Sequence, residues 1–464
     1  MEKENISVGW AEVNITPDKP VLLHGQFYTR ISKYVNDPVT ATALAINGEK
    51  DSLIFVSCDL VYLYESIIKE CREKIKKEMP EIDVNKISFG ATHTHTAPTM
   101  KEGLYIYEDE KVMKPSEYAG FLVEKLSKCV IEAWENREKG YISWGMGYAV
   151  VGHNRRIVYF DGSAKMYGDT NDKNFSHIEG YEDHSVDLLF TYNKEKQLTG
   201  MIINLSCPSQ VTENARFVSA DFWHETREEI RKRISKDLFI LPQCAPAGDQ
   251  SPHLLLYKKG EERMRKLKGL SEREEIGKRI ADAVEKVLPY AEKDIREKVE
   301  LKHITKTINL PRRMVTDEEY KQAKEEIEKW EKKEVNTDKE KSYRFVMIRR
   351  NKEVIERYHK QKENPFLPME LHVIRLGDIA FATNRFELFL DYGMRIEARS
   401  KAVQTFLVQL SNGEGTYLPT ERAVNAKSYG AEIASNLVGP EGGQVLVEET
   451  VKEINNLFKD EEEI

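Results

Sequence analysis

Two histidines spaced two residues apart, His93 and His95, are well placed for metal chemistry. They follow a strand-like run, residues 87–90 (ISFG), and in an extended chain residues two apart point to the same side. Both imidazoles can therefore face one pocket at the end of a strand, and neutral imidazole is a common zinc ligand. Two ordinary hydrogen-bonded histidines are the alternative, and the spacing alone leaves both interpretations open.

A second candidate segment is the loop 243–253 (QCAPAGDQSPH), which follows the apolar strand-like run 238–241. Small residues after a strand let the backbone approach a ligand, and Ser251 before Pro252 is held in a non-helical turn. The pattern favours a site loop that presents Ser251. The alternative is an ordinary Gly/Pro turn with a solvated serine.

Six short motifs occur in order along nearly the whole chain. They are residues 9–17 (GWAEVNITP), 92–95 (THTH), 154–155 (NR), 248–252 (GDQSP), 386–387 (FE) and 417–420 (YLPT). In this order they resemble the motifs of the neutral/alkaline ceramidase family. Six motifs in the same order are far more specific than any one of them.

The resemblance implies one zinc ion per chain, held by His93, Glu387 and the phenolate oxygen of Tyr417. Imidazole, carboxylate and phenolate offer N and O donors that suit zinc and leave a position for water. Hydrolysis follows, because zinc activates that water and polarises a carbonyl group. The catalytic residues that the resemblance implies are His95, Arg155, Asp249 and Ser251. Among these, Arg155 and His95 would stabilise the oxyanion.

One histidine ligand that the resemblance leads us to expect is missing. The family carries it just after the strand equivalent to residues 202–205 (IINL), where this chain continues Ser206-Cys207-Pro208. We prefer His224, in the run 219–225, as its replacement, with Cys207 as a thiolate ligand the alternative. A site with fewer protein ligands, or with no metal, is the remaining interpretation.

Further polar residues are candidates for substrate binding. They are His24, Gln26 and Arg30 in the amino-terminal loop, and His253 after the serine motif. Ordinary structural roles for these side chains are an open alternative.

Composition and charge limit the classes of partner. The 464 residues, 40% hydrophobic and 32% charged, suit a globular protein with a large core. The net charge of -8, with both signs mixed along the chain, offers no basic face to nucleic acid. No window approaches the apolar length of a membrane span, and no apolar docking surface is evident. We expect a small-molecule substrate, and a homo-oligomer is compatible with the sequence.

The cysteines and the amino terminus indicate a cytoplasmic protein. The five cysteines are odd in number and show no C-x-x-C spacing, which favours reduced thiols. The first residues contain no apolar signal segment.

A fold in which strands and helices mix must position these residues. Strand-like runs occur at 40–46, 53–58, 86–90, 200–206, 237–241, 371–376, 379–383 and 404–410. Ser271 and Glu274 form a capping box for an amphipathic helix that we expect to end at Pro289. We predict an α/β (mixed α+β) fold of large mixed sheets with surrounding helices, as one ceramidase-like catalytic domain over residues 1–464. The charged segment 316–363 is predicted to be an inserted helical hairpin.

The sequence therefore predicts a zinc-dependent hydrolase that cleaves an amide-type (N-acyl) bond in a small or amphiphilic substrate. Secreted ceramidases carry an extra carboxy-terminal β-domain that we do not expect here, so the resemblance implies fold and metal chemistry more than ceramide itself. Two alternatives stay open. One is a hydrolase of a sugar conjugate, which the polar candidate residues suggest, and the other is a non-catalytic ligand-binding module on the same fold.

Overall fold

The computed structural model describes residues 3–459. The strands are β1 (Ile6–Asn14), β2 (Thr40–Asn47), β3 (Ser52–Cys58), β4 (Ile87–Ala91), β5 (Glu138–Tyr148), β6 (His153–Asn154), β7 (Arg156–Tyr159), β8 (Ala164–Met166), β9 (Phe175–Ile178), β10 (Ser185–Tyr192), β11 (Leu198–Leu205), β12 (Phe239–Cys244), β13 (Gln250–Ser251), β14 (Leu301–Pro311), β15 (Phe366–Leu376), β16 (Ile379–Thr383), β17 (Glu387–Leu388), β18 (Gln404–Val408) and β19 (Tyr417–Leu418). The α-helices are α1 (Glu65–Glu78), α2 (Pro115–Glu135), α3 (Phe222–Arg233), α4 (Lys258–Lys268), α5 (Glu272–Ala291), α6 (Asp317–Lys332), α7 (Asp338–Lys360), α8 (Leu390–Glu397), α9 (Glu421–Ala426) and α10 (Pro440–Leu457).

Two large mixed sheets form the centre of the fold. The larger has eight strands in the order β12-β11-β10-β5-β1-β2-β3-β4, and the smaller has four in the order β14-β15-β16-β18. The pairs β11/β12, β3/β4 and β16/β18 are parallel, and the other neighbours in these sheets are antiparallel. The prediction of a mixed α+β fold with large mixed sheets is therefore confirmed.

The two sheets pack face to face and helices cover their outer faces. Trp10, Phe55 and Ile202 of the large sheet share one core with Phe381 and Phe406 of the small sheet. Helices α1 and α2 cover one half of the outer face of the large sheet, and α3 and α5 cover the other half. Helices α8 and α10 cover the small sheet. Because central strands are buried on both faces, β10 (SVDLLFTY) is buried along almost its whole length and has apolar side chains at five of its eight positions.

The charged segment between β14 and β15 forms the predicted helical hairpin. Its helices, α6 and α7, each begin with a capping box, formed by Thr316 with Glu319 and by Thr337 with Glu340. The hairpin packs on the amino-terminal loop, where the Ser342 hydroxyl accepts a hydrogen bond from the Thr29 N–H. The helix predicted to end at Pro289 instead continues to Ala291. Pro289 removes only its own backbone donor, and the hydrogen bond from the Glu292 N–H to the Leu288 carbonyl closes the last turn beyond it.

The end of β4 is tied to the loop that follows β18. Asn412 has a left-handed backbone (φ 56°), a conformation that asparagine tolerates better than most residues. Its N–H donates to the Phe89 carbonyl at 2.8 Å, and its Oδ1 accepts the Phe89 N–H at 2.8 Å. The residues that follow β4 therefore lie beside those that follow the small sheet. Among the residues described, no helix is long and apolar enough to cross a membrane.

Asp187 gives the fold a specific pH dependence. Burial, together with the nearby Asp183 charge and despite a 2.7 Å hydrogen bond from Gln404, raises the pKa of Asp187 to about 7 from an ordinary 3.8. Between these values the folded protein binds more protons than the unfolded chain, so stability falls as the pH rises from about 4 to about 7.

We expect Asp187→Asn to remove this loss and to raise the free energy of unfolding at pH 8 by about 2–4 kcal/mol, with little gain near pH 4. Chemical denaturation at both pH values measures the difference. Asp237→Asn, at an exposed position, is the control and should follow the wild type. An equal effect of Asp187→Asn at both pH values would contradict the assignment.

Candidate active site

His93, Glu387 and Tyr417 come from three segments that meet beside the Asn412 loop. His93 follows β4 in a left-handed conformation (φ 63°). Glu387 and Tyr417 are register partners in the parallel pair β17/β19. The His93 Nε2 lies 3.3 Å from the Glu387 Oε2, and the Tyr417 hydroxyl lies near enough to the same carboxylate to lower its pKa. Three of the metal ligands predicted from the sequence are thus brought together.

The hydrogen bonds around the two histidines leave acceptor atoms facing one another at their centre. The His93 Nδ1 donates to the Val61 carbonyl at 2.9 Å, so a neutral His93 presents a lone pair at Nε2. The Gln210 Oε1 accepts from Arg155 at 3.3 Å, which turns the Gln210 amide nitrogen towards the His95 Nε2 at 2.9 Å. The His95 Nε2 is therefore also an acceptor, 3.4 Å from the His93 Nε2.

This arrangement fits a cation. Two imidazole nitrogens and the Glu387 carboxylate face one another, and none of them supplies a proton to the others while His93 is neutral. Either a proton on the His93 Nε2 or a bound metal ion resolves the repulsion. Imidazole, carboxylate and phenol oxygen form a donor set that zinc accepts.

Charge and burial shape the site further. Burial opposes ionisation of Glu387, but His93, the Tyr417 hydroxyl and Arg155 together hold its pKa below the ordinary value. Burial, followed by the Glu387 and Tyr429 charges, raises the pKa of Tyr417 well above the ordinary value. Without a metal, Tyr417 is therefore a neutral phenol, and Glu387 is charged at neutral pH.

Arg155 is buried at the centre of the site, and none of the described carboxylates forms an ion pair with it. Its guanidinium donates to the hydroxyls of Tyr167 and Tyr417 at 3.1 and 3.2 Å and to the Gly248 carbonyl at 3.0 Å. Burial opposes its charge, but Tyr167 and Tyr417 outweigh this and raise the pKa of Arg155. Its Nε has no hydrogen-bond partner in the described structure. Arg155 is thus a fixed positive charge beside Glu387.

Ser251 and Asp249 lie in the loop that contacts Arg155. The Ser251 Oγ accepts hydrogen bonds from the Tyr167 hydroxyl at 2.9 Å and from the His253 N–H at 3.0 Å. Its own proton is therefore free to be donated. The Asp249 carboxylate accepts the Leu390 N–H and the Asn154 amide, both at 2.9 Å. Asp249 thus holds the loop in place.

The two candidates for the fourth metal ligand do not join this group. Among the described residues, no set of three or more His, Cys, Asp or Glu side chains is arranged to hold a metal ion. His224 lies in the first turn of α3, partly exposed. Cys207 is buried in the apolar core, and burial, followed by Cys244 and Asp221, raises the pKa of its thiol well above the ordinary value.

The predicted substrate-binding residues line or build the wall of the site. Burial, followed by His93 and Arg30, lowers the pKa of His24 to about 3. Arg30 is fully buried and donates to the carbonyls of His24 and His95, so it supports the backbone. Gln26 donates to the Glu213 carbonyl at 3.3 Å, and the Glu213 carboxylate lies 3.6 Å from the His253 Nε2.

Sequence reasoning missed Gln210 and Tyr167. Gln210 stands three residues after the missing histidine, but nothing in its local sequence shows that its amide joins His95 to Arg155. Tyr167 reaches both Arg155 and Ser251 from a left-handed backbone position (φ 54°) that its residue type does not suggest.

We expect Gln210→Leu to lower the free energy of unfolding by about 2–3 kcal/mol, because it leaves buried donors and acceptors on His95 and Arg155 unpaired. Urea denaturation measures the change. The matched control is Gln322→Leu, at an exposed position on α6, which should change stability by less than about 0.5 kcal/mol. Equal effects of the two substitutions would show that the Gln210 amide does not support the site.

Comparison with solved structures finds the same architecture. The crystal structure of the neutral ceramidase from Pseudomonas aeruginosa is 16% identical to this chain, with a TM-score of 0.71 over 98% of this chain and 75% of that one. A structure described as ceramidase complexed with C2 is 15% identical, with a TM-score of 0.69 and the same coverage. No protein-family model and no curated protein sequence matches the chain. The similarity confirms the resemblance read from the six motifs at the level of the fold: this chain has the neutral ceramidase fold.

Proposed function

We propose that the protein is a zinc-dependent hydrolase that cleaves an amide-type (N-acyl) bond in a small or amphiphilic substrate. The observation that carries this proposal is the convergence of the His93 Nε2, the Glu387 carboxylate and the Tyr417 hydroxyl beside the buried Arg155. The neutral ceramidase fold supports the choice of an amide bond.

His93, Glu387 and Tyr417 would hold the ion. A bound zinc ion would supply Lewis acidity, which lowers the pKa of water towards about 7 and polarises a carbonyl group. His224 and Cys207, the candidates that the sequence offered for a fourth protein ligand, lie outside this group in the described structure, so the fourth position would be left to water.

The chain's own residues would supply positioning and charge. Hydrolysis adds a hydroxyl group to the acyl carbon and a proton to the leaving nitrogen, while the C–N bond breaks. The buried Arg155 guanidinium is held by tyrosine hydroxyls and needs no rearrangement to stabilise the oxyanion that develops on the carbonyl oxygen. Ser251, whose oxygen already accepts two hydrogen bonds, would donate its proton to a polar group of the substrate.

The structure does not favour a sugar conjugate over an N-acyl substrate. The polar residues that suggested hydroxyl recognition are engaged within the protein, with Arg30 bonded to backbone carbonyls and Gln26 to Glu213. The two experiments that follow distinguish a hydrolase from a non-catalytic binding module.

Metal content tests the ligand set. We expect about one zinc ion per chain by inductively coupled plasma mass spectrometry. His93→Ala should lose it, whereas His224→Ala and Cys207→Ser should retain it, because neither residue joins His93 and Glu387 in the described structure. His177→Ala is the matched control, since His177 is exposed on β9. A wild type that binds no zinc even after reconstitution, or a His93→Ala variant that retains it, would contradict the proposed site.

Turnover tests the chemistry. We expect the zinc-loaded enzyme to hydrolyse members of an N-acyl panel and no member of a glycosyl panel. Arg155→Met should lower kcat by roughly 10²–10³-fold, because it removes the charge that faces the oxyanion, while Arg155→Lys should recover part of the loss. Circular dichroism confirms that the variants fold, and His177→Ala should keep wild-type kcat. Turnover that is unchanged in Arg155→Met would overturn the role of Arg155, and tight ligand binding without turnover would favour the binding module.

A further inference from the structure

Helix α4 differs from the other helices among the described residues. It contains no buried residue, whereas each of the others buries at least one. Two large apolar side chains within it are exposed, Met264 by 46% and Leu267 by 66%. Burial of an apolar face therefore does not hold α4 to the protein.

Ion pairs along one side attach α4 to α5. Glu261 lies 2.7 Å from Arg279, Lys268 lies 2.7 Å from Glu275, and Arg265 lies 3.7 Å from Glu272. The three attaching residues follow the i, i+4, i+7 spacing of a single helix face. No residue on the opposite face of α4 is buried against another described part of the chain.

That opposite face is both basic and apolar. Lys259, Arg263 and Leu267 follow at i, i+4 and i+8 and so share one stripe. Neither Lys259 nor Arg263 has a carboxylate partner in the described part of the chain, although the protein as a whole carries a net charge of -8. A local excess of unpaired positive charge next to exposed apolar groups is complementary to an anionic, partly apolar surface.

The two residues just before α4 add further exposed apolar side chains beside the helix. Leu256 is 41% exposed and Tyr257 is 83% exposed. Tyr257 has a left-handed backbone (φ 57°), which is unfavourable for a tyrosine and turns the chain into α4 while its ring lies in solvent. Tyrosine is enriched at membrane–water interfaces, at the level of the lipid headgroups.

The charged hairpin shows that this combination is not a general property of the surface. Helices α6 and α7 are also rich in lysine, but their charges pair with glutamates one turn away, as in Lys332 with Glu328 and Lys360 with Glu356. No large apolar side chain of either helix is among the exposed ones. Helix α4 thus combines unpartnered cations with exposed apolar groups, a combination that α6 and α7 do not show.

We propose that the face formed by Leu256, Tyr257, Lys259, Arg263 and Leu267, the α4 face, docks on the surface of a bilayer that contains anionic lipid. The helix lies in the plane of the interface, its apolar side chains enter the headgroup region and its cations contact lipid phosphates and carboxylates. Only five residues lie between Ser251 and Tyr257, so docking brings the serine loop of the candidate active site close to the membrane. The proposal does not depend on the zinc-dependent reaction.

Vesicle sedimentation of the full chain tests the proposal without any substrate. The probes are vesicles of phosphatidylcholine alone and vesicles that also contain phosphatidylserine, at low and high salt. We expect binding to the anionic vesicles that weakens at high salt, and much weaker binding to phosphatidylcholine. Lys259→Gln with Arg263→Gln should weaken the binding by about fivefold for each charge removed. Tyr257→Ser with Leu267→Ser should weaken it by at least about tenfold.

Two substitutions elsewhere provide controls. Tyr290→Ser removes an exposed aromatic ring from α5, and Lys321→Gln removes an exposed charge from α6; both should bind vesicles as the wild type does. Because α4 buries no residue, the α4 variants should keep the wild-type Tm. Equal binding of the wild type to both kinds of vesicle, or wild-type binding by the α4 variants, would overturn the proposal. Self-association that Leu267→Ser abolishes, without vesicle binding, would assign the face to a second copy of the chain instead.

Discussion

The contact between Asn412 and Phe89 is the constraint on which the candidate active site depends. Two hydrogen bonds, both 2.8 Å, join Phe89 in β4 of the large sheet to Asn412 in the loop that follows β18 of the small sheet. His93 belongs to the first sheet, whereas Glu387 and Tyr417 belong to the connections of the second. The contact therefore holds parts of the ligand set from two layers together, and these layers also share an apolar core and further polar contacts, such as the hydrogen bond from Gln404 to Asp187.

A separate set of polar contacts holds the side chains of the candidate active site in place. Gln210 joins His95 to Arg155, and Tyr167 joins Arg155 to Ser251, so one continuous network connects the residues proposed to contact substrate. Burying a guanidinium without a carboxylate partner costs desolvation free energy. The hydroxyls and carbonyls around Arg155 offset part of this cost, but none of them carries a negative charge that would neutralise the guanidinium. The positive charge is thus held ready for an anion that forms during a reaction.

The sequence predicted the features that local chemistry determines. Apolar runs marked the central strands, the Ser271 capping box marked the start of α5, and the His-x-His spacing marked the end of β4 as a site. The sequence could not show which distant polar residues meet. Gln210 and Tyr167 enter the site through tertiary contacts and, for Tyr167, through an uncommon backbone conformation. The orientation of Cys207 into the core likewise depends on how β11 and α3 pack, which no local pattern encodes.

The missing histidine is weak evidence for a decayed, non-catalytic site. Catalytic zinc sites commonly use three protein ligands and leave a fourth position for water, and His93, Glu387 and Tyr417 already reach that number. The raised pKa of Tyr417 means that zinc would have to displace the phenolic proton, so zinc affinity should increase with pH. The neighbouring Arg155 favours the phenolate and reduces that cost. The three proposed ligands therefore match such a site in number and in donor type, and the burial of Cys207 in the core removes none of them.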